Sequence, residues 1–235
     1  MSTEWRVLPH EPLQKLEENL WFVIGNLEGG APLKRTMAVA KRRDGKLVIH
    51  NAVALEDELM KELESHGELA YLLVPNGFHR LDAPRFKARY PSIKVLCPEG
   101  ARAKVAKVIA VDGTYADFPA DPDVELISLD GLGGLEGAMV VKSESGVTVC
   151  VADAIFNMPH PPGFGGFVMK NVTSSSGGPR VSRLTRWFMV KDKAAYRSQL
   201  LKLAQIPRLK RVIVGHHEAI EGNVAATLEA VAATL

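Results

Sequence analysis

Three short apolar runs in this chain each lead into a side chain that can bind a metal ion. The runs at 69–74, 147–151 and 211–214 read as buried strands, and the residues that follow them are His79, Asp153 and His216. Open α/β sheets place their functional groups just beyond the carboxyl ends of strands. The sequence therefore predicts a fold that brings three distant loops to one edge of the molecule.

The first half of the chain predicts a β-hairpin followed by alternating helices and strands. The Asp44–Gly45 pair, which tolerates the positive φ angles of tight hairpins, separates the first two strand-like runs. One helix is expected to begin near Leu55, where leucines recur at helical spacing, and another after Asp82, which we assign as its cap. The expected strands lie at 36–41, 46–50, 69–74 and 93–97.

The second half predicts another set of strands and two well-capped helices. The expected strands lie at 124–129, 138–142, 147–151 and 211–214, and the helices begin at Asp192 and Asn223. Between them, residues 156–182 are dense in Gly, Pro and Ser, a composition that favours turns over a regular element. We therefore expect an irregular, lid-like segment at about 156–190.

The bulk composition favours one domain that spans residues 1–235. Hydrophobic residues make up 46% of the chain, which is enough for a sizeable core, and the net charge of +2 argues against nucleic acid or a membrane as the main partner. Cys97 and Cys150 lie in strand-like runs and are expected to be buried thiols. Because neither a secretory signal nor a membrane span is recognisable, a soluble, cytoplasmic protein is expected. No pattern indicates the oligomeric state.

Three local sequences together resemble the metallo-β-lactamase fold. The run V-P-N-G-F-H at 74–79 lies where members of that family carry H-x-H-x-D-H. A-D-A at 152–154 is similar to their G-D-A element, and G-H at 215–216 is similar to their late G-H. The resemblance covers most of the chain and implies an α/β fold, a four-layer αββα sandwich of the metallo-β-lactamase type.

The resemblance also implies that the first of the family's two metal positions has been lost. Val74, Asn76 and Phe78 replace the two leading histidines and the aspartate of the motif. The lone histidine expected within 130–137 is missing as well. Of the usual ligands of the first metal, only Asp153 would remain, and a degenerate metal site is expected.

The second metal position would keep three ligands, His79, Asp153 and His216. Two imidazoles and a carboxylate suit catalytic zinc or ferrous iron and leave a position for water. These ligands would hold a single zinc, iron or manganese ion. We therefore expect a metal-dependent hydrolase that acts on a small ester, lactone, thioester or phosphoester. His217 is expected to lie behind these ligands, or to replace His216 if the loop turns sharply.

Two other interpretations stay open. In the first, His79, Asp153 and His216 have structural roles only, as hydrogen-bonding groups in their loops. Phe78 would fill the vacated metal space. The protein would then be an inactive, hydrolase-derived protein that binds a small ligand or a partner without metal. The weaker alternative is nucleic-acid binding through the cations of 180–197, where Asp192 is the one acidic residue.

Overall fold

The computed structural model describes residues 2–28 and 33–235, which form two β-sheets packed face to face. The first sheet is ordered as in the chain: β1 (Gln14–Glu17), β2 (Leu20–Asn26), β3 (Lys34–Lys41), β4 (Leu47–His50), β5 (Leu69–Leu73), β6 (Lys94–Cys97) and β7 (Gly113–Thr114). The second contains β8 (Val124–Ser128), β9 (Gly137–Ser143), β10 (Gly146–Cys150) and β11 (Leu209–Ile213), and its spatial order is β11-β10-β9-β8.

Helices cover the outer face of each sheet. The helices are α1 (Asp57–His66), α2 (Ala83–Arg89), α3 (Arg102–Val105), α4 (Gly163–Asn171), α5 (Arg183–Phe188), α6 (Lys193–Ala204) and α7 (Val224–Ala233). Helices α1 to α3 contribute to the core on the first sheet, and α6 and α7 to the core on the second. Short 3-10 helices occupy Glu99–Ala101 and Tyr115–Asp117. None of the helices in residues 2–28 and 33–235 has the length and apolar character needed to cross a membrane.

The alternation of side chains along β2 shows how the layers are built. Leu20 and Phe22 point into the layer between the sheets, where they join Met139 of β9. Trp21 and Val23 point the opposite way, into the core beneath the helices. Because successive residues of a strand face opposite sides, each central strand fills two cores at once. The expected αββα arrangement is confirmed.

Parallel pairing brings the loops of interest to one edge. In the first sheet β4, β5 and β6 run parallel to one another, and in the second β10 runs parallel to β11. The carboxyl ends of parallel neighbours lie together, so the loops after β4 and β5 meet at one point and those after β10 and β11 at another. The packing of the sheets brings these two points together.

Several local predictions hold. The Asp44–Gly45 turn joins β3 and β4 as an antiparallel hairpin, with Lys41 opposite Leu47. The side chain of Asp192 accepts a hydrogen bond from the Ala195 amide at 2.9 Å and so caps α6. Asn223 caps α7 in the same way. Cys97 and Cys150 are buried and unpaired.

The prediction that the Asp82 side chain caps a helix is wrong. Asp82 stands at the start of α2, but its carboxylate makes no capping hydrogen bond. It pairs instead with Arg85 and with Arg35, the latter at 2.5 Å, and accepts from the Ala54 amide at 2.9 Å. A buried carboxylate between two guanidinium groups is held by charge, which outweighs the local capping preference.

The expectation that 156–182 lacks regular structure is also wrong, because α4 occupies Gly163–Asn171 within it. A Cβ at Gly166 would lie 1.6 Å from the Pro161 carbonyl oxygen, so the glycine permits the chain to fold back at the helix start. At the other end Arg183 donates to the carbonyls of Asn171 and Val172, the latter at 3.1 Å. Tertiary contacts therefore support a helix that glycine-rich sequence alone disfavours.

Candidate metal centre

The three residues singled out in the sequence meet where the two sheets join. His79 follows β5 of the first sheet, whereas Asp153 and His216 follow β10 and β11 of the second. One ligand-type atom from each lies within 4.8 Å of the other two. Both imidazole Nε2 atoms approach the same carboxylate oxygen, Oδ1 of Asp153, at 3.1 Å from His79 and 3.2 Å from His216. Two donor atoms bound to one tetrahedral zinc stand about 3.3 Å apart, so the spacing suits a shared ion.

Hydrogen bonds behind the two imidazoles fix their orientation. The Asn51 amide donates to the Thr36 carbonyl at 2.6 Å, so its Oδ1 faces His79 and accepts from Nδ1 at 2.9 Å. Nδ1 of His216 donates to the Lys34 carbonyl at 2.7 Å. Phe156 stacks on the His216 ring, with the centroids 5.2 Å apart. Each ring therefore carries its proton on Nδ1 and turns Nε2 toward Asp153.

This arrangement makes three lone pairs converge on one point. In a neutral imidazole protonated at Nδ1, Nε2 is an acceptor, and a carboxylate oxygen is an acceptor as well. Acceptors facing one another at these distances need a positive charge between them, which is either a proton or a metal ion. The donor set, two nitrogens and a carboxylate oxygen with outward Nδ1–H groups, fits a divalent transition metal.

The charges within the cluster shift the pKa values of His79 and Asp153 in opposite directions, and both shifts favour the charged forms. Burial by itself would lower the pKa of His79, but the Asp153 carboxylate outweighs it and raises that pKa above its ordinary value. For Asp153 burial works toward a higher pKa, yet the charge of a protonated His79 and the hydrogen bonds that the imidazoles donate when they are protonated bring its pKa well below the usual range. The site is therefore built to hold a carboxylate beside positive charge.

A residue that the sequence reasoning missed, Glu136, lies directly behind Asp153. It is fully buried, and its carboxylate accepts from the amides of Ala152, Asp153 and Ala154 at 2.8, 3.0 and 2.9 Å. Burial and then the Asp153 charge raise the pKa of Glu136 to about 7. The run 130–137, where the resemblance led us to expect a histidine, holds two carboxylates, and only the structure distinguishes the buried Glu136 from the exposed Asp130.

Asn76 connects Glu136 to both halves of the cluster. Its Nδ2 donates to Glu136 Oε2 at 2.7 Å and to Asp153 Oδ2 at 2.9 Å. Its Oδ1 accepts from the amides of Phe78 and His79 at 2.8 and 3.1 Å, which shapes the loop that presents His79. Asn76 therefore stands in the site, at a position where the resemblance expects a metal-binding histidine, and binds two carboxylates there.

Phe78 does not fill the vacated metal space. Its side chain is 59% exposed, and the Lys104 ammonium lies 4.6 Å from its ring centroid. Val74, by contrast, is buried in the core beneath the helices. Of the residues at the replaced positions, Asn76 contacts the cluster directly, through its hydrogen bond to Asp153.

The glycine of the late G-H pair has a steric role. The Gly215 amide donates to the Ala152 carbonyl at 3.0 Å, and the Gly215 carbonyl accepts from the Thr36 amide at 3.0 Å. A Cβ on Gly215 would stand 2.8 Å from the Cα of Ala152. Only glycine allows the two ligand-bearing loops to approach this closely.

His217 lies next to the cluster without contributing one of its three converging atoms. The chain turns sharply there, with φ of +62°, and its Nε2 accepts from the Lys34 amide at 3.2 Å. The Lys34 carbonyl binds Nδ1 of His216, so one peptide segment of β3 contacts both adjacent histidines.

Two cavities open from the cluster, and both are lined in part by Asp153 and His216. The smaller, of about 230 Å³, is called the polar chamber because it contacts His79, Arg35 and Asn51, although Leu27, Leu33, Phe78 and Leu81 line it as well. The larger, of about 570 Å³, is called the apolar cleft. The large apolar side chains that line it are Leu33, Phe78, Phe156, Phe164, Val168, Met169, Leu184, Phe188 and Met189.

Comparison with known proteins establishes the fold. No protein-family model matches the chain, and no curated protein matches it. Among solved structures, a metallo-β-lactamase from Pontibacter korlensis is similar over 97% of this chain and 100% of its own, with a TM-score of 0.65 and 10% identity. DIM-1 metallo-β-lactamase exposed to ceftazidime is similar over 97% and 99%, with a TM-score of 0.64 and 12% identity. The chain therefore has the metallo-β-lactamase fold.

Proposed function

We propose that this protein is a metal-dependent hydrolase in which His79, Asp153 and His216 hold a single zinc, iron or manganese ion. The observation that carries the proposal is the orientation of the two imidazoles. Both have Nδ1–H engaged behind the ring, so two Nε2 lone pairs and a carboxylate oxygen point at one place. A histidine that served only to fill space would not need its tautomer fixed in this way.

An ion held there would supply Lewis acidity toward a carbonyl or phosphoryl oxygen and toward water. The surrounding residues would prepare that chemistry. Asn51 and the Lys34 carbonyl hold the imidazoles, and Asn76 holds Asp153 through the oxygen that does not face the histidines. Glu136 acts one step further back, as a positioning residue that anchors the 152–154 loop.

The proposed substrate is a small ester, lactone, thioester or phosphoester. The two cavities beside Asp153 and His216 provide space on both sides of the point where such a group would react. Segment 156–190, which supplies α4 and α5 to one wall of the apolar cleft, is proposed to act as the lid that admits the substrate. We place all of these parts in one domain that spans residues 1–235.

Metal content is the direct test. The full chain, stripped of metal and then titrated with zinc, is expected to bind about one ion, and anomalous scattering should place it between His79 and Asp153. His79→Ala should abolish stoichiometric binding. His160→Ala is the matched control, because His160 bonds Ser176 at 2.8 Å and lies outside the cluster. A wild-type protein that folds normally but takes up no zinc, iron or manganese would contradict the proposal.

The second candidate is an inactive scaffold that binds a ligand without metal. The separations of 3.1 and 3.2 Å are also those of N–H···O hydrogen bonds, and the raised pKa of His79 favours a proton there. In that case the imidazole Nε2 protons should be visible by NMR in the untreated protein and unchanged on adding zinc. Loss of those signals with one equivalent of zinc would support the hydrolase instead.

A further inference from the structure

We propose that the apolar cleft holds the straight acyl chain of an amphiphilic substrate, with the bond to be cleaved at the His79–Asp153–His216 cluster. This inference rests on the proposed hydrolase function and names its substrate class. The volume of about 570 Å³ lies within the range of small-molecule sites, about 300–1,000 Å³.

The exposure of the cleft wall indicates that it is not ordinary core. Phe164 is 82% exposed, Phe188 62% and Leu184 43%, although all three are large apolar side chains. They come from α4 and α5, which both contribute lining residues to the cleft. Apolar side chains gathered on a soluble surface beside a polar cluster are typical of a site that buries apolar ligand surface.

The hydroxyl groups that line the cleft are already engaged within the protein. Thr185 donates to the Asp153 carbonyl at 2.7 Å, and the Ser182 hydroxyl accepts from the Thr185 amide at 3.0 Å. The Thr173 hydroxyl lies 2.8 Å from that of Ser175. Because these groups turn toward protein partners, the cleft offers a hydrocarbon surface along most of its length.

The polar groups lie at one end. Asp153 and His216 line both cavities, so the cleft and the polar chamber meet at the cluster. The chamber of about 230 Å³ is lined by Arg35 and Asn51 and also by Leu27, Leu33, Phe78 and Leu81, so it suits a small group of mixed polar and apolar character. A ligand with one apolar tail, a reactive ester-like group and a small head of this kind matches this sequence of surfaces.

Binding of straight-chain alcohols tests the tail site without catalysis. The probes are 1-hexanol to 1-decanol, titrated by calorimetry into the full, metal-free chain. Burial of each added methylene should tighten binding about fourfold, or about 200-fold across the series. An affinity that does not depend on chain length would overturn the inference.

A pair of leucine variants tests the location. Leu184→Ser changes the cleft wall, whereas Leu201→Ser changes a leucine of similar exposure, 38%, on the surface of α6 away from both cavities. Leu184→Ser should weaken 1-decanol binding about tenfold, since a leucine contact is lost, and Leu201→Ser should leave it within twofold. Equal effects in the two variants would place the alcohol elsewhere and defeat the inference.

A series of p-nitrophenyl esters, from butyrate to decanoate, separates this inference from the hydrolase proposal. With zinc-loaded protein KM should fall as the acyl chain lengthens, and Leu184→Ser should reduce that dependence. Hydrolysis with a KM indifferent to chain length would refute the acyl site and leave the hydrolase intact. Length-dependent alcohol binding with no hydrolysis of any ester would refute the hydrolase and retain the cleft as an acyl-binding site.

Discussion

The two sides of Asp153 present opposite solutions to the burial of polar atoms. On one side the Glu136 carboxylate receives four N–H groups, three from the backbone of 152–154 and one from Asn76. On the other side Oδ1 of Asp153 meets the Nε2 atoms of His79 and His216, whose protons are held elsewhere. One side is satisfied by the protein alone, and the other requires an added positive charge.

This difference shows that two neighbouring carboxylates have separate roles: Glu136 holds the 152–154 loop, and Asp153 faces the two imidazoles. The resemblance to the metallo-β-lactamase family implied that the first position had lost its ligands. Asn76, at one of the replaced histidine positions, donates to Glu136, which accepts three amides of the 152–154 loop. This network orders the loop that carries Asp153.

Removal of the Glu136 side chain should have the largest effect, a loss of stability on the side of Asp153 that the protein satisfies by itself. Glu136→Ala leaves four buried donors without an acceptor, at about 1–3 kcal/mol each, so the free energy of unfolding should fall by about 4 kcal/mol. Urea denaturation measures this loss. Glu144→Ala is the control, because that glutamate is exposed, and should change stability by less than about 0.5 kcal/mol. Similar stability in both variants would show that the network does not hold the loop.

The side of Asp153 that faces the two histidines can be tested through Asn51. This residue has φ of +60°. Glycine adopts this backbone angle without strain, so Asn51→Gly removes the acceptor for His79 Nδ1 and the hydrogen bond to the Thr36 carbonyl while the backbone keeps its conformation. Loss of such a partner should lower zinc affinity about 10–100-fold, as measured by competition with a chelator. Arg208→Gly changes another residue with φ of +60°, outside the site, and should leave affinity unchanged. Equal affinities would mean that Asn51 does not orient His79.

The smallest expected effect concerns His50, a third imidazole buried between the sheets at the end of β4. Burial, and then the charge of His79, lower its pKa to about 3. The unfolded chain takes up this proton below about pH 6.5 and the folded chain does not, so stability declines with acidification over that range. From pH 7 to 5.5 the contribution is about 1 kcal/mol, and His50→Leu should remove it in urea titrations. An identical pH dependence in the variant would contradict this assignment.

The sequence predicted those features that depend on neighbouring residues or on strand ends. The hairpin at Asp44–Gly45, the caps at Asp192 and Asn223, and the placement of His79, Asp153 and His216 after strands all follow from local patterns. Chain topology alone is sufficient to bring strand ends together.

The features that were missed depend on distant partners. Glu136 acquires its role from amides 16 to 18 residues further along the chain, and no local pattern marks it as buried. Asp82 left its expected capping role because Arg35 and Arg85 surround it. Helix α4 is supported at its end by Arg183, from a cation-rich run that suggested an anion-binding surface. Tertiary contacts override local propensity in each case.

The three site residues are carried by two different sheets, so their separation depends on how the sheets pack. His79 is carried by one sheet, while Asp153 and His216 are carried by the other, and the gap between them spans the sandwich interface. Any sliding of one sheet over the other would therefore change the distance between His79 and Asp153. The side chains packed between the sheets, such as Phe22 and Met139, hold the sheets at a fixed separation. That packing thereby sets the distance between His79 and Asp153.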